Sequence, residues 1–108
     1  MVEESIIKSV KGYLRDLTIH GVEVEFGVVF GSWAAGTATG MSDIDVIVVS
    51  PRFDKARARQ DINLLWRVAA RSDNRIEPIP CGKKQWFEDD ASVIIEIARR
   101  GGELVYIH

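Results

Sequence analysis

Residues 30–49 read FGSWAAGTATGMSDIDVIVV, and the organisation of the chain turns on this stretch. It joins the end of one apolar run to the start of another through small and polar residues. Upstream, Val22, Val24, Phe26, Val28 and Phe30 alternate with Glu23, Glu25 and Gly27, which predicts a strand over 22–30. Downstream, IDVIVVS is almost continuously apolar, as in a central strand or one buried on both faces. Asp43-Ile44-Asp45 opens this second strand. Residues i and i+2 of a strand share a face, so the two carboxylates stand side by side, with Cα atoms about 6–7 Å apart.

Working outward, Ile6, Ile7, Val10, Leu14 and Leu17 recur at helical spacing and predict an amphipathic helix ending before Gly21. Beyond Pro51, Ile62, Leu65, Trp66, Ala69 and Ala70 form a second helical stripe, with Trp66 read as core. RIEPIP reads as a short strand. Pro78 cannot donate a ladder hydrogen bond, so this strand belongs at an edge or carries a bulge. Trp86 and Phe87 begin a short helix, as core or interface residues. Val93, Ile94, Ile97 and Ala98 mark a last helix stopped by Gly101 and Gly102, and LVYI is a final short strand. The order α-β-β-α-β-α-β predicts an α+β fold with a mixed sheet covered by helices, in one domain over residues 1–108.

Bulk properties narrow the function. No apolar run approaches the roughly 20 residues of a membrane helix, and the N-terminus lacks the pattern of a secretory signal. Cys81 is the only cysteine, which excludes an intrachain disulfide and fits a reducing, cytoplasmic setting. A net charge of −2 gives the whole chain no electrostatic attraction for nucleic acid, so no direct nucleic-acid binding is expected. Positive charge does gather over residues 52–75, where Arg52, Lys55, Arg57, Arg59, Arg67, Arg71 and Arg75 form a solvated helix face or a face for phosphates. His20, His108 and Cys81 have no metal-binding spacing, and no Gly-x-x-x-x-Gly-Lys-Ser/Thr loop is present.

The chemistry-bearing residues are therefore Asp43 and Asp45 with Gly31 and Ser32. Hard Mg²⁺ prefers oxygen ligands, commonly one or two carboxylates with substrate phosphates and water. Two such ions can stabilise both oxygens of an in-line phosphoryl displacement. Glycine allows close approach of backbone to a ligand, and backbone N–H groups with the Ser32 hydroxyl can hold phosphate oxygens. Two charges entering an apolar central strand have no evident structural use, since unpaired carboxylates are costly to bury.

GSWAAGTATGMSDIDVIVV resembles the signature of the minimal nucleotidyltransferases of the DNA polymerase beta superfamily: Gly-Ser, ten residues, then Asp-x-Asp. RIEPIP offers Glu77 where that family has its third acidic residue, and IIEIARRGGELVYI is similar to its closing helix, turn and strand. The resemblance implies that Gly31 and Ser32 bind a nucleoside triphosphate. It implies that Asp43, Asp45 and Glu77 are catalytic and hold Mg²⁺, in a two-ion site, with Glu77 helping to deprotonate the acceptor hydroxyl. ATP is the expected substrate.

Many relatives read Gly-Ser-x-Ala-Arg-Gly, whereas Ala35 stands at the arginine position here. A guanidinium there could pair with phosphate or brace the loop. Arg52, Arg57 and Arg59 are the candidates to replace it. Small members of the family resemble antitoxins paired with helical HEPN toxins. That likeness implies transfer of AMP from ATP to a hydroxyl of a HEPN-like protein partner. The alternatives are transfer to a small molecule such as an aminoglycoside, requiring a partner subunit or a homo-oligomer to complete the acceptor pocket, and a non-catalytic module that binds nucleotide or partner.

Overall fold

The computed structural model describes residues 2–55, 58–88 and 92–107. Helix α1 (Glu4–Ile19) buries Ile6, Val10, Tyr13, Leu14 and Leu17 along one side, the stripe its sequence predicts. His20 ends the helix, its backbone N–H and its ring Nδ1 both meeting the Asp16 carbonyl. The chain continues through β1 (Phe26–Phe30), the four-residue helix α2 (Ser32–Ala35) and β2 (Ile44–Ser50). A 3₁₀ turn over Pro51–Asp54 precedes α3 (Arg59–Ser72), β3 (Ile76–Gly82), α4 (Lys83–Glu88), α5 (Val93–Gly101) and β4 (Glu103–Val105).

The strands lie in the order β3-β2-β1-β4. β1 is antiparallel to β2 and β4, while β2 and β3 run parallel. Parallel neighbours need a long crossover, and α3 supplies it. The sheet is thus mixed and helix-covered, as the sequence pattern predicts. Its faces separate two apolar clusters. Val29, Val46, Val48 and Ile76 pack with α1 and α3, through Leu14, Leu17, Leu65 and Val68. Phe26, Val28, Ile47, Val49 and Cys81 pack with Trp86, Ile95 and Ala98 of α4 and α5. Tyr13 lies fully buried in the first cluster and donates its hydroxyl to the Leu65 carbonyl at 3.0 Å. Burial holds that phenol above its ordinary range.

β3 occupies an edge, as Pro78 requires. Ile44 N donates to the Arg75 carbonyl at 2.7 Å, so the odd-numbered residues of this segment face β2. Pro78 and Pro80 therefore face the open edge, where no ladder bond is lost.

Four expectations are corrected. The strand predicted over 22–30 forms only over Phe26–Phe30, preceded by a single bond from Glu25 N to the Val49 carbonyl. The small-residue stretch contains a helical turn, α2. Trp66 is 46% exposed, because α3 buries Leu65, Val68 and Ala69 and so turns its face one residue away from the predicted stripe. In α5, Ile95 and Ala98 are buried while Val93, Ile94 and Ile97 are exposed. That segment is apolar on more than one side, and a periodic pattern alone does not say which side meets the sheet.

The α5–β4 junction packs without space. A Cβ at Gly102 would press on Val28 Cγ1 and on the Ala98 and Val29 carbonyls, whereas one at Gly101 meets nothing within 4 Å. Gly102→Ala is expected to destabilise by about 1–3 kcal/mol through overpacking. Gly101→Ala is expected to be neutral or to stabilise by up to about 1 kcal/mol through helix propensity. Urea unfolding of the two variants checks the contrast.

Candidate active site

The carboxylates gather on the α4–α5 face of the sheet, at the end where β2 begins. In the parallel ladder Asp45 lies opposite Glu77, and in the antiparallel ladder it lies opposite Phe30. Asp45 and Glu77 are half-buried, and Asp43 is exposed just ahead of the strand. Burial, then the negative charge of Asp43, raises the Asp45 carboxyl above the usual carboxylate range, and a hydrogen bond with Glu77 partly offsets this. Glu77 is raised by burial, then by the charges of Asp43 and Asp45, with its hydrogen bonds to both acting in the same sense.

Gly31 joins this group from β1. Its φ of +74° is a conformation that L side chains rarely adopt, and a Cβ there would collide with Asp45 Oδ2. The β1–α2 turn and the Asp45 carboxylate can be this close only because residue 31 has no side chain. Ser32 follows, with a hydroxyl that meets no hydrogen-bond partner among the described residues. Gly31, Ser32, Asp43, Asp45 and Glu77 thus lie around one corner of the sheet. Among the described residues, no three acidic, histidine or cysteine side chains already converge as a finished cage for an ion. The donor set nevertheless suits a hard divalent cation, being all carboxylate oxygen.

The loop from Gly36 to Asp43 is held from both sides. Trp33 Nε1 donates to the Ser42 carbonyl at 3.2 Å, and Thr39 N donates to Ser42 Oγ at 2.8 Å. Arg75, just ahead of β3, donates from Nη1 to the Gly40 carbonyl at 3.0 Å. Its Nε and Nη2 meet the two Asp73 carboxylate oxygens at 3.0 and 2.7 Å. The guanidinium lies 5.8 Å from the Trp33 ring centroid. A guanidinium therefore braces this loop despite Ala35, and it comes from a position the sequence reading did not select.

Two of the basic candidates named from sequence, Arg52 and Arg59, do not reach the site. Arg52 follows β2, at the strand end opposite Asp45, where it pairs with Asp61 and the Gly21 carbonyl. Arg59 begins α3, whose other end leads back to the site, about 20 Å away at 1.5 Å per residue. Arg57 lies outside the described residues, as does His108. The signal for Arg75 was its place: Asp73-Asn74-Arg75 stands immediately before the strand that carries Glu77.

With this geometry in view, the sequence matches the nucleotidyltransferase domain family over residues 7–100, so the chain belongs to that family. A candidate nucleotidyltransferase from Sulfolobus solfataricus has a similar structure, with a TM-score of 0.65 and 16% identity, covering 91% of this chain and 77% of that one. A chain of a toxin–antitoxin complex with AMP-PNP is similar with a TM-score of 0.60 and 17% identity, covering 89% and 72%. No curated protein matches significantly. Among the described residues no helix is long and apolar enough to cross a membrane.

Asp45 and Glu77 have folded pKa values raised above the unfolded ones, so their deprotonation on raising pH lowers the stability of the metal-free chain. In EDTA near neutral pH, Asp45→Asn is expected to raise the melting temperature by about 2–4 °C. It should also abolish any upward shift on adding Mg²⁺. Thermal melts with and without the ion read both effects.

Asp73 titrates in the opposite sense. Its hydrogen bonds from the Arg75 side chain hold it below the usual range, against burial. The stabilisation is fully present above the unfolded value of about 3.9 and is lost as pH falls through the lower folded value. Asp73→Asn is therefore expected to cost about 1 kcal/mol at pH 7. The gap to wild type should narrow as pH falls below the unfolded carboxylate range, as followed by chemical denaturation across pH.

Proposed function

We propose that this chain is a Mg²⁺-dependent nucleotidyltransferase that moves AMP from ATP to a hydroxyl of a protein partner, in the manner of an antitoxin acting on a HEPN-like helical toxin. The observation that carries the reading is the Asp45 carboxylate, which lies against the Gly31 backbone on one side and opposite Glu77 on the other. The groups assigned to phosphate and to metal are thereby neighbours. Asp43, Asp45 and Glu77 would hold Mg²⁺, which supplies charge neutralisation on the phosphates and at the leaving oxygen.

The chain's own residues do the rest. Gly31 and Ser32 hold the β- and γ-phosphates through backbone N–H groups and the free hydroxyl. The acceptor hydroxyl oxygen forms a bond to the α-phosphorus as the bond from that phosphorus to the bridging oxygen breaks. Pyrophosphate leaves with the bond electrons, and the hydroxyl proton passes to the Glu77 carboxylate. Arg75 and Trp33 keep the Gly40–Asp43 loop in place while this happens.

A protein acceptor is supported by exposed apolar side chains. Val93 and Ile94 on α5, with Phe87 at the end of α4 and Tyr106 after β4, are 72%, 46%, 65% and 50% exposed. Side chains of this kind favour contact with another protein.

The test is transfer from α-labelled ATP in Mg²⁺ to the HEPN-like product of an adjacent gene, or to the chain itself. Glu77→Gln is expected to slow transfer about 10²–10⁴-fold while ATP still binds, as loss of a general base does. Asp45→Asn is expected to remove both binding and transfer. Absence of label on the neighbouring protein and on the chain itself would defeat the proposal.

A further inference from the structure

Of the three acids, Asp43 alone has no place in the sheet. Asp45 is fixed by Phe30 and Glu77 in the two ladders that flank it, and Glu77 by Asp45. Asp43 stands one residue ahead of β2, exposed, at the end of the loop from Gly36. Its position is only as well defined as that loop. A carboxylate carried by a loose loop must be ordered when it takes a cation, and the freedom lost weakens binding.

Arg75 reaches both sides of Asp43. On the C-terminal side its backbone carbonyl accepts from Ile44 N at 2.7 Å. On the N-terminal side its guanidinium donates to the Gly40 carbonyl at 3.0 Å and lies 5.8 Å from the centroid of the buried Trp33 ring. That indole donates in turn to the carbonyl of Ser42, the residue before Asp43, at 3.2 Å. The far end of the brace is anchored. Asp73 holds Nε and Nη2 of Arg75 on its two carboxylate oxygens. The Asp73 backbone N–H donates to the Ala69 carbonyl at the end of α3 at 2.9 Å, and its carboxylate also takes a hydrogen bond from Ser9 of α1. A line of contacts thus runs from the packed α1 and α3 helices to the residues on either side of Asp43.

We infer that Arg75 is a positioning residue for the cation site. Held by Asp73 and acting through Gly40, Trp33 and Ser42, it sets the Asp43 carboxylate where a divalent cation can share it with Asp45 and Glu77. The inference rests on the metal-dependent reading above. Arginine suits the task by its shape. One planar fork meets both oxygens of a carboxylate, leaves Nη1 for a carbonyl and turns a flat face to an indole. Groups that orient a metal ligand without touching the ion commonly matter about 10–100-fold in metal affinity.

The experiment is titration of the metal-free full chain with Mn²⁺, an ion that favours carboxylate oxygen, with free Mn²⁺ read by electron paramagnetic resonance. Arg75→Met is expected to weaken Mn²⁺ binding about 10–100-fold. Trp33→Phe keeps a ring but loses the bond to Ser42, and is expected to weaken it about 2–10-fold. Tyr13→Phe is the control for lowered stability: it loses the buried hydrogen bond to Leu65, leaves the brace intact and is expected to bind within about twofold of wild type. In an Asp43→Asn background, Arg75→Met is expected to cost less than about threefold, because its route to the ion is gone. Circular dichroism checks each fold; should Arg75→Met fail to fold, Trp33→Phe alone and combined with Asp43→Asn decides. Unchanged Mn²⁺ affinity in either folded variant overturns the inference. So does an equal loss in Tyr13→Phe, or an undiminished loss in the Asp43→Asn background. If wild type binds no Mn²⁺ at millimolar levels, the metal-dependent reading falls and this inference with it. If wild type binds and the Arg75 and Trp33 variants bind equally well, only the positioning role falls.

Discussion

Asp45 meets the backbone of Gly31, whose φ of +74° strains any L side chain and where a Cβ would strike the Asp45 carboxylate as it now lies. Much of the site's arrangement follows from that contact. The positive φ at Gly31 turns the chain sharply out of β1 and into α2, which begins at Ser32. The antiparallel register then sets Phe30 against Asp45, and the parallel register sets Glu77 on its other side. Three negative groups are thereby held closer than they would choose in water. Burial and their repulsion together hold the Asp45 and Glu77 carboxyls above the usual range, a standing cost to the fold. Burial elsewhere supports the arrangement: the two apolar clusters that sandwich the sheet fix β1, β2 and β3 to one another.

Much of this was legible in the sequence because two independent periodicities agree with the chemistry. Alternation ending at Phe30 and an apolar run beginning at Ile44 located both strand ends, and the Asp-x-Asp spacing placed two carboxylates on one face. Pro78 correctly pointed to an edge. Partner choice between helix faces was not legible. In α3 the buried side includes Leu65 and Val68 but not Trp66, and in α5 it includes Ile95 but not Ile94 or Ile97. Each of these segments has apolar residues on more than one side, and only the shape of the sheet selects among them. The single turn of α2 was hidden for another reason: four residues are too few to show a helical period.

The role of Arg75 was hidden because it depends on three segments meeting. Asp73 fixes the guanidinium, Trp33 offers a ring face and the Gly40 carbonyl accepts the hydrogen bond. Trp33 lies in α2 with Ala35, but the guanidinium itself comes from Arg75, 40 residues further along the chain, and approaches the loop from the β3 side. A missing side chain in a familiar pattern need not mean a missing interaction. The same physical task, tying a glycine-containing loop to the sheet, can be carried from another strand.

Pro78 and Pro80 have an effect beyond their own strand. With both facing outward, the free border of β3 lacks two of the donors that an incoming strand would need. Edge-to-edge growth of the sheet is thus discouraged on the flank nearest Glu77. The opposite border, β4, spans only Glu103–Val105. Its brevity offers little template for fibril-like stacking, so a chain with three strongly apolar strands keeps them out of reach of its own copies.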